Sequence, residues 1–288
     1  MSPKTVGLIA HTGKPGAAEL VTQLRTEFER AGVAVELEHD TAALIGLAKG
    51  HSIAELGEAA DLLVVLGGDG TILHVVSSLD DVVKPVFGIN IGSLGFLTCL
   101  NSSAYAEAIE SIVSGKFAFS DRVLLSVEIE RDGKRTEPVL ALNDAVISRG
   151  EVSRLIRLRT RVNGEPLTEF NADGLVIATP TGSTAYSLSA GGPIIAPHSG
   201  VFVITPICPH VLTNRSLILD DSSTIEVEPS EPEYPSYLTV DGRSPVLLEF
   251  TSVVRIRRSE KILPLAVLQQ TSFFSVLRQK LKWSGSSI

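Results

Sequence analysis

The sequence predicts an α/β domain built on a parallel sheet, followed by a β-rich domain of the sandwich kind. Three observations carry this. Over residues 1–118 short aliphatic runs alternate with segments of helical spacing, the pattern of βαβ units. From about residue 119 to 268 short strands follow one another with turn residues between them. In the first part the apolar run Leu62 to Leu66 enters Gly67-Gly68-Asp69-Gly70-Thr71 and continues as Ile72 to Val76. Strand, glycine turn and helix together bring backbone N–H groups and a helix N-terminus up to phosphate.

Taken in order, residues 5–10 read as a short strand, and Pro15 marks a helix start. Leu20, Val21, Leu24 and Phe28 recur at helical spacing, and Gly32 closes that helix. Val33 to Leu37 is a second strand, residues 41–60 are helical with interrupting glycines, and Pro85 to Asn90 is a fourth strand. Ala104 to Val113 is a helix ended by Gly115. Later strands are Leu124–Ile129, Val139–Ile147, Ile156–Val162, Leu175–Ala178, Val201–Thr205, Thr224–Val227, Tyr237–Val240 and Val253–Ile256. Asn163-Gly164 is a strong hairpin turn. Phe273, Phe274, Leu277 and Leu281 lie on an amphipathic C-terminal helix.

The composition narrows the function. The chain has 288 residues, a net charge of −8 and 44% hydrophobic residues. Its pI is about 5.3 and its mean hydropathy +0.25. An acidic average argues against general nucleic-acid binding. No apolar run approaches the roughly 18 residues that a membrane span needs. Two cysteines, Cys99 and Cys208, make no disulfide framework, so a cytoplasmic location is expected.

Chemistry concentrates in a few stretches. Gly67, Gly68 and Gly70 permit close backbone approach to a ligand, so with Thr71 they are the candidate phosphate-binding residues. The alternative is a tight turn with an N-capping Asp or Thr. Asp69 projects from the end of a buried strand, where it could meet a reacting hydroxyl. His74 follows one helical turn later and could share its face. Residues 179–189 hold seven Ser, Thr and Tyr residues, donors and acceptors suited to a ligand rich in hydroxyls and phosphates. Local Ser/Thr turns are the alternative. Asn143-Asp144 interrupts an apolar strand, so the pair is either hydrogen-bonded internally or faces a site. Arg157, Arg159 and Arg161 alternate as a solvated strand face, and Arg154, outside that alternation, is the better ligand candidate. No zinc spacing and no Walker-type phosphate loop is present.

In this order and spacing, G-G-D-G-T at 67–71, L-N-D at 142–144 and T-P-T-G-S-T-A-Y-S-L-S-A-G-G-P at 179–193 resemble the NAD kinase family. G-I-N-I-G-S-L-G-F-L at 88–97, V-D-G-R at 240–243 and L-R-Q-K-L-K-W at 277–283 fit as well. The resemblance implies a Rossmann-like parallel-sheet domain (1–118), a β-sandwich-like NAD-binding domain (119–268), and a C-terminal segment (269–288) packing back on the first. It implies transfer of the ATP γ-phosphoryl to the adenosine ribose 2′-hydroxyl of NAD, with Asp69 as proton acceptor. Implied NAD contacts are Asp69, Gly70, Asn143, Asp144, Asp173, Thr184, Ala185, Tyr186, Ser187, Leu188 and Ser189, with His74, Arg154 and Asn171. Where the family usually carries Glu, Asp144 is one methylene shorter and keeps the hydrogen-bonding role. Where it usually carries Gln, Arg243 adds a positive charge that could alter the second substrate site or a subunit contact. Mg²⁺ arrives with ATP, no protein metal site is expected, and a homodimer or homotetramer is implied. The alternatives are a lipid kinase of the same superfamily and a non-catalytic dinucleotide-binding or sensing protein.

Overall fold

The computed structural model describes residues 2–79, 82–92, 95–150, 154–211, 213–231, 233–268 and 272–283. The chain divides into two compact units, 1–121 with 263–288, and 122–262.

The first unit is a parallel sheet with helices around it. Its strands β1 (Thr5–Ala10), β2 (Ala34–Leu37), β3 (Leu62–Gly67) and β4 (Val86–Asn90) lie in the order β2-β1-β3-β4. The end of the long strand Val253–Val267 adds beside β4 in parallel, through Leu265 opposite Val86. β3 and β4 are buried at every position because both faces of the sheet are covered. Their near-continuous aliphatic runs are what that environment requires.

Helix α1 (Ala17–Arg30) buries Leu20, Val21, Leu24 and Phe28, the stripe read from its periodicity. Its start differs from expectation: Gly16, at φ 81°, is the N-cap, and Pro15 lies outside the helix. The glycine-interrupted region 41–60 holds two short helices, α2 (His39–Leu44) and α3 (Ile53–Ala59). Gly46 adopts φ +77° between them, and Ser52 with Glu55 forms a capping box that starts α3. Helix α4 (Asp69–Ser77) follows β3 directly and buries Ile72, Val75 and Val76. The C-terminal helix Phe273–Leu281 buries Val276 and Leu277, and Phe273 rests on Phe96 within this unit. The tail therefore returns to the first unit. Ser93 and Leu94 of the glycine-rich stretch 88–97 lie outside the described residues.

The second unit is a sandwich of two antiparallel layers. One layer runs Glu165–Ala172, Ile156–Val162, Ile225–Pro229 and Val253–Val267, with Ala118–Arg131 pairing to the last. The other runs Leu217–Asp220, Val201–Ile207, Gly174–Ala178, Asp144–Arg149, Ser236–Val240 and Val246–Leu248. Their facing side chains, among them Leu158, Val227 and Ile256 against Ile147, Ile177 and Phe202, form one core. Val146, Val176 and Val203 face the other way and pack under Ile195, so the middle of the second layer is covered on both sides. Asn163 (φ 53°) and Gly164 (φ 80°) form the expected two-residue hairpin turn.

Val139–Ile147 is not one strand. Val139–Ala141 pairs with Ala118–Arg131, whereas Asp144–Arg149 joins the other layer. The chain breaks at Leu142-Asn143, where the carboxylate of Asp241 receives the N–H groups of Leu142, Asn143 and Asp144 at 2.7, 2.8 and 3.0 Å.

Candidate functional site

In the strand order β2-β1-β3-β4 the chain leaves β1 toward one edge and β3 toward the other. A crevice opens at the carboxyl ends of such strands, and ligands bind there. A cleft of about 520 Å³ occupies this position, lined by His11 and Lys14 after β1 and by Gly68, Gly70, Thr71 and His74 after β3.

The glycines of the turn differ. A Cβ on Gly67 would lie 2.2 Å from the Thr71 hydroxyl, so Gly67 serves the packing of β3 against α4. Beyond its chain neighbours and its own helix, a Cβ added to Gly68 or Gly70 would meet no atom of the described residues within 4 Å, and neither residue adopts positive φ. Among the described residues nothing demands glycine at these two positions. Open space above both, on the side of the cleft, is what close approach of a ligand would use. Thr71 closes the turn through its hydroxyl, which accepts the Gly68 N–H at 3.3 Å.

Asp69 is the first residue of α4. Its Oδ2 accepts the Phe96 N–H and its Oδ1 the Leu97 N–H, both at 3.0 Å. His74 lines the cleft while the Asp69 carboxylate engages this turn, so the two do not share a face. Five residues at about 100° each place them roughly 140° apart.

In the second unit the stretch 179–193 folds against residues 142–143. Thr179 N donates to Asn143 O at 2.9 Å, its hydroxyl donates to Leu142 O at 2.6 Å, and a Cβ on Gly182 would strike Asn143 O at 2.1 Å. The hydroxyls of this stretch are mostly engaged internally. Thr179, Thr181, Ser183, Thr184 and Ser187 all have protein partners, Ser187 with Thr205 at 3.1 Å. Tyr186, 46% exposed, and Ser189 lie at the surface. The density of hydroxyls is thus largely the architecture of a loop, and the exposed set is smaller than the sequence suggests. Ala185 separates a 3₁₀ turn, Gly182–Thr184, from the short helix Tyr186–Ser189, which carries half-buried Leu188.

Asp144 is 5% exposed, and burial, then the neighbouring Asp241 charge, pushes its carboxyl up to about 7. Burial raises Asp241 as well, against the three N–H groups that favour its charge. Arg243 follows the left-handed pair Asp241-Gly242, and its Nη2 donates to Leu140 O at 2.8 Å. That inward turn places the guanidinium against the backbone of the strand end, and burial lowers its pKa. Asp173 pairs with Arg149 at 2.7 Å. Asn171 lies across from Arg157 in the hairpin. Arg154 donates to the Tyr234 hydroxyl at 2.6 Å and lies 5.4 Å over its ring. Arg157, Arg159 and Arg161 pair with Glu231, Glu169 and Glu228, the solvated face expected of them.

Sequence reasoning missed Asp241 as the organiser of the Asn143-Asp144 turn; the turn-forming dipeptide Asp241-Gly242 was the available signal. It also missed the turn Gly95–Thr98 as the holder of Asp69. Among the described residues no group of three His, Cys, Asp or Glu is placed to bind a metal ion. No described helix is long and apolar enough to cross a membrane.

The sequence matches the ATP-NAD kinase N-terminal domain over residues 6–117 and the ATP-NAD kinase C-terminal domain over residues 142–267. It is 41% identical over 277 residues to the NAD kinase of Chlorobium luteolum, covering 96% of each chain. It is 39% identical over 280 residues to the NAD kinase of Solibacter usitatus, covering 97% of this chain and 98% of that one. Among solved structures, yeast NADH kinase complexed with NADH superposes with a TM-score of 0.90 at 30% identity, over 100% of this chain and 90% of that one. An NAD kinase from Archaeoglobus fulgidus in complex with ATP superposes with a TM-score of 0.77 at 25% identity, over 98% and 100%.

Proposed function

We propose a division of roles among the site residues of this chain, which belongs to the ATP-NAD kinase family. The protein is an NAD kinase, a phosphotransferase that takes NAD and ATP as substrates. Membership across both domains sets aside the lipid-kinase and non-catalytic alternatives.

In this reading the ribose 2′-oxygen of NAD attacks the γ-phosphorus of ATP. The new O–P bond forms as the bond to the β–γ bridging oxygen breaks, ADP leaves, and the hydroxyl proton passes to Asp69. A ribose hydroxyl is a weak nucleophile, and a positioned carboxylate orients it and takes its proton as the bond forms. One observation carries the assignment: the Asp69 carboxylate is held by two backbone N–H groups beside the open glycine turn. A carboxylate has about four lone-pair sites, so two remain for the hydroxyl. Gly70 receives phosphate oxygens at the head of α4, beside the open face of Gly68 and with Lys14 across the cleft.

The NAD contacts assigned by motif position are Gly70, His74 and Asp69 in the first unit and Asn143, Asp144, Arg154, Asn171, Asp173, Arg243 and Thr184 to Ser189 in the second. The exposure of Tyr186 supports this. A divalent ion entering with ATP, as part of that substrate, is supported by the affinity of Mg²⁺ for substrate phosphates. A homodimer or homotetramer is supported by Val246, Leu247 and Phe250, each about half exposed, at the edge of the second layer. A cytoplasmic location is supported by the low cysteine count.

The test is NADP formation from NAD, ATP and Mg²⁺, read through an NADP-specific dehydrogenase. Asp69→Asn should lose turnover by about 10²–10⁴ and keep its affinity for NAD by calorimetry. Unchanged turnover would remove Asp69 as the base.

A further inference from the structure

We propose that Phe96 and Phe273 are positioning residues for Asp69, so that the C-terminal helix sets the orientation of a carboxylate far upstream in the chain. This rests on the reading of Asp69 as proton acceptor.

The two oxygens of Asp69 are held by the successive amides of Phe96 and Leu97. The turn that presents these amides is pressed onto the carboxylate: a Cβ on Gly95 would lie 1.9 Å from Oδ1. The Gly95 N–H donates to the buried Thr98 hydroxyl at 3.0 Å, which closes the turn. On the Leu97 side the turn is fixed by the sheet. Leu97 is buried, Cys99 N donates to Gly88 O at 2.8 Å, and a Cβ on Gly88 would lie 2.9 Å from Leu97 O. On the Phe96 side the support is different. The half-buried Phe96 ring lies 6.3 Å from that of Phe273, tilted by 45°, and Phe273 is the first residue of the C-terminal helix. That helix is anchored by Val276 and Leu277 and capped by Ser272. One donor is therefore held by β4 and the other by the tail helix. Displacing Phe96 alone would turn the carboxylate about its own axis.

The experiment uses the full-length enzyme with Phe273→Ala, Phe273→Leu and Phe273→Tyr beside Asp69→Asn. Phe273→Ala should lower kcat about tenfold or more with KM for NAD and ATP nearly unchanged, because misplacing a catalytic group slows chemistry and leaves binding intact. Phe273→Leu, which keeps apolar volume without the ring, should fall between, and Phe273→Tyr should restore kcat. Hydrogen exchange at the Phe96 amide should accelerate in Phe273→Ala more than at the Leu97 amide, and return to the wild-type rate in Phe273→Tyr. Wild-type kcat in Phe273→Ala, or exchange at the Phe96 amide that ignores residue 273, overturns the proposal. So does a loss that Phe273→Tyr fails to rescue. If Asp69→Asn retains turnover, the base assignment fails by itself, and the exchange measurement still decides whether the helix holds the turn.

Discussion

Gly68 and Gly70 show how little a glycine motif says until its surroundings are known. All three glycines of the turn look alike in sequence, yet Gly67 makes room for Thr71 while the other two face open space. Alanine should separate these roles. Gly70→Ala, within α4, should leave stability unchanged or raise it by up to about 1 kcal/mol from helix propensity. Its KM for ATP should rise about tenfold, a loss of about 1.4 kcal/mol in binding. A wild-type KM would mean that no phosphate approaches this backbone. Asp69 was legible as a candidate from its place after a buried strand. Its hydrogen-bond partners were not, because Phe96 and Leu97 come from a different part of the chain.

At the scale of elements, the chain break at Leu142-Asn143 is the clearest departure from the sequence pattern. The stretch Val139 to Ile147 reads as one apolar strand interrupted by Asn143-Asp144, and at that interruption a distant carboxylate holds the break between two sheets. Asp241→Ala would leave three backbone N–H groups without their charged acceptor. It should cost about 2–4 kcal/mol in urea unfolding, and it should weaken NAD binding by loosening the Asn143-Asp144 turn. Stability equal to wild type would mean that the turn is held by its sheet partners alone. Other elements escaped sequence reading for simpler reasons. Glu165–Ala172 is exposed over its first five residues, so it lacks an apolar face. Val253–Val267 runs on through Arg257, Arg258, Glu260 and Lys261, whose charges conceal a strand that continues into the first unit. Leu217–Asp220 and Val246–Leu248 are short edges.

For the whole molecule, Asp144 makes stability depend on pH. Its folded carboxyl is pushed up to about 7, against about 3.9 in an unfolded chain. Between these values the folded state binds more protons than the unfolded one, so stability falls as pH rises from about 4 to about 7 and then levels off. Asp144→Asn should flatten that decline and be more stable than wild type at pH 8, by about 1–3 kcal/mol. Thermal unfolding at pH 5 and pH 8 measures it. An equal decline in both proteins would assign the dependence to other groups. Retention of an acid that destabilises the folded protein at neutral pH is consistent with its proposed contact with NAD.

Strand–helix alternation, the change to short strands near residue 120, the helical stripe of α1 and the hairpin at Asn163-Gly164 were settled by the sequence itself. Each depends on local periodicity or on backbone preferences within a few residues. So were the family and the identity of its motifs, since these are matters of residue order. Tertiary structure decided which hydroxyl-bearing residues of 179–189 lie at the surface, which glycines face the cleft, and what holds Asp69 and the Asn143-Asp144 turn. These properties depend on contacts between residues far apart in the chain, and side-chain partners at that range leave no periodic trace in the order of residues.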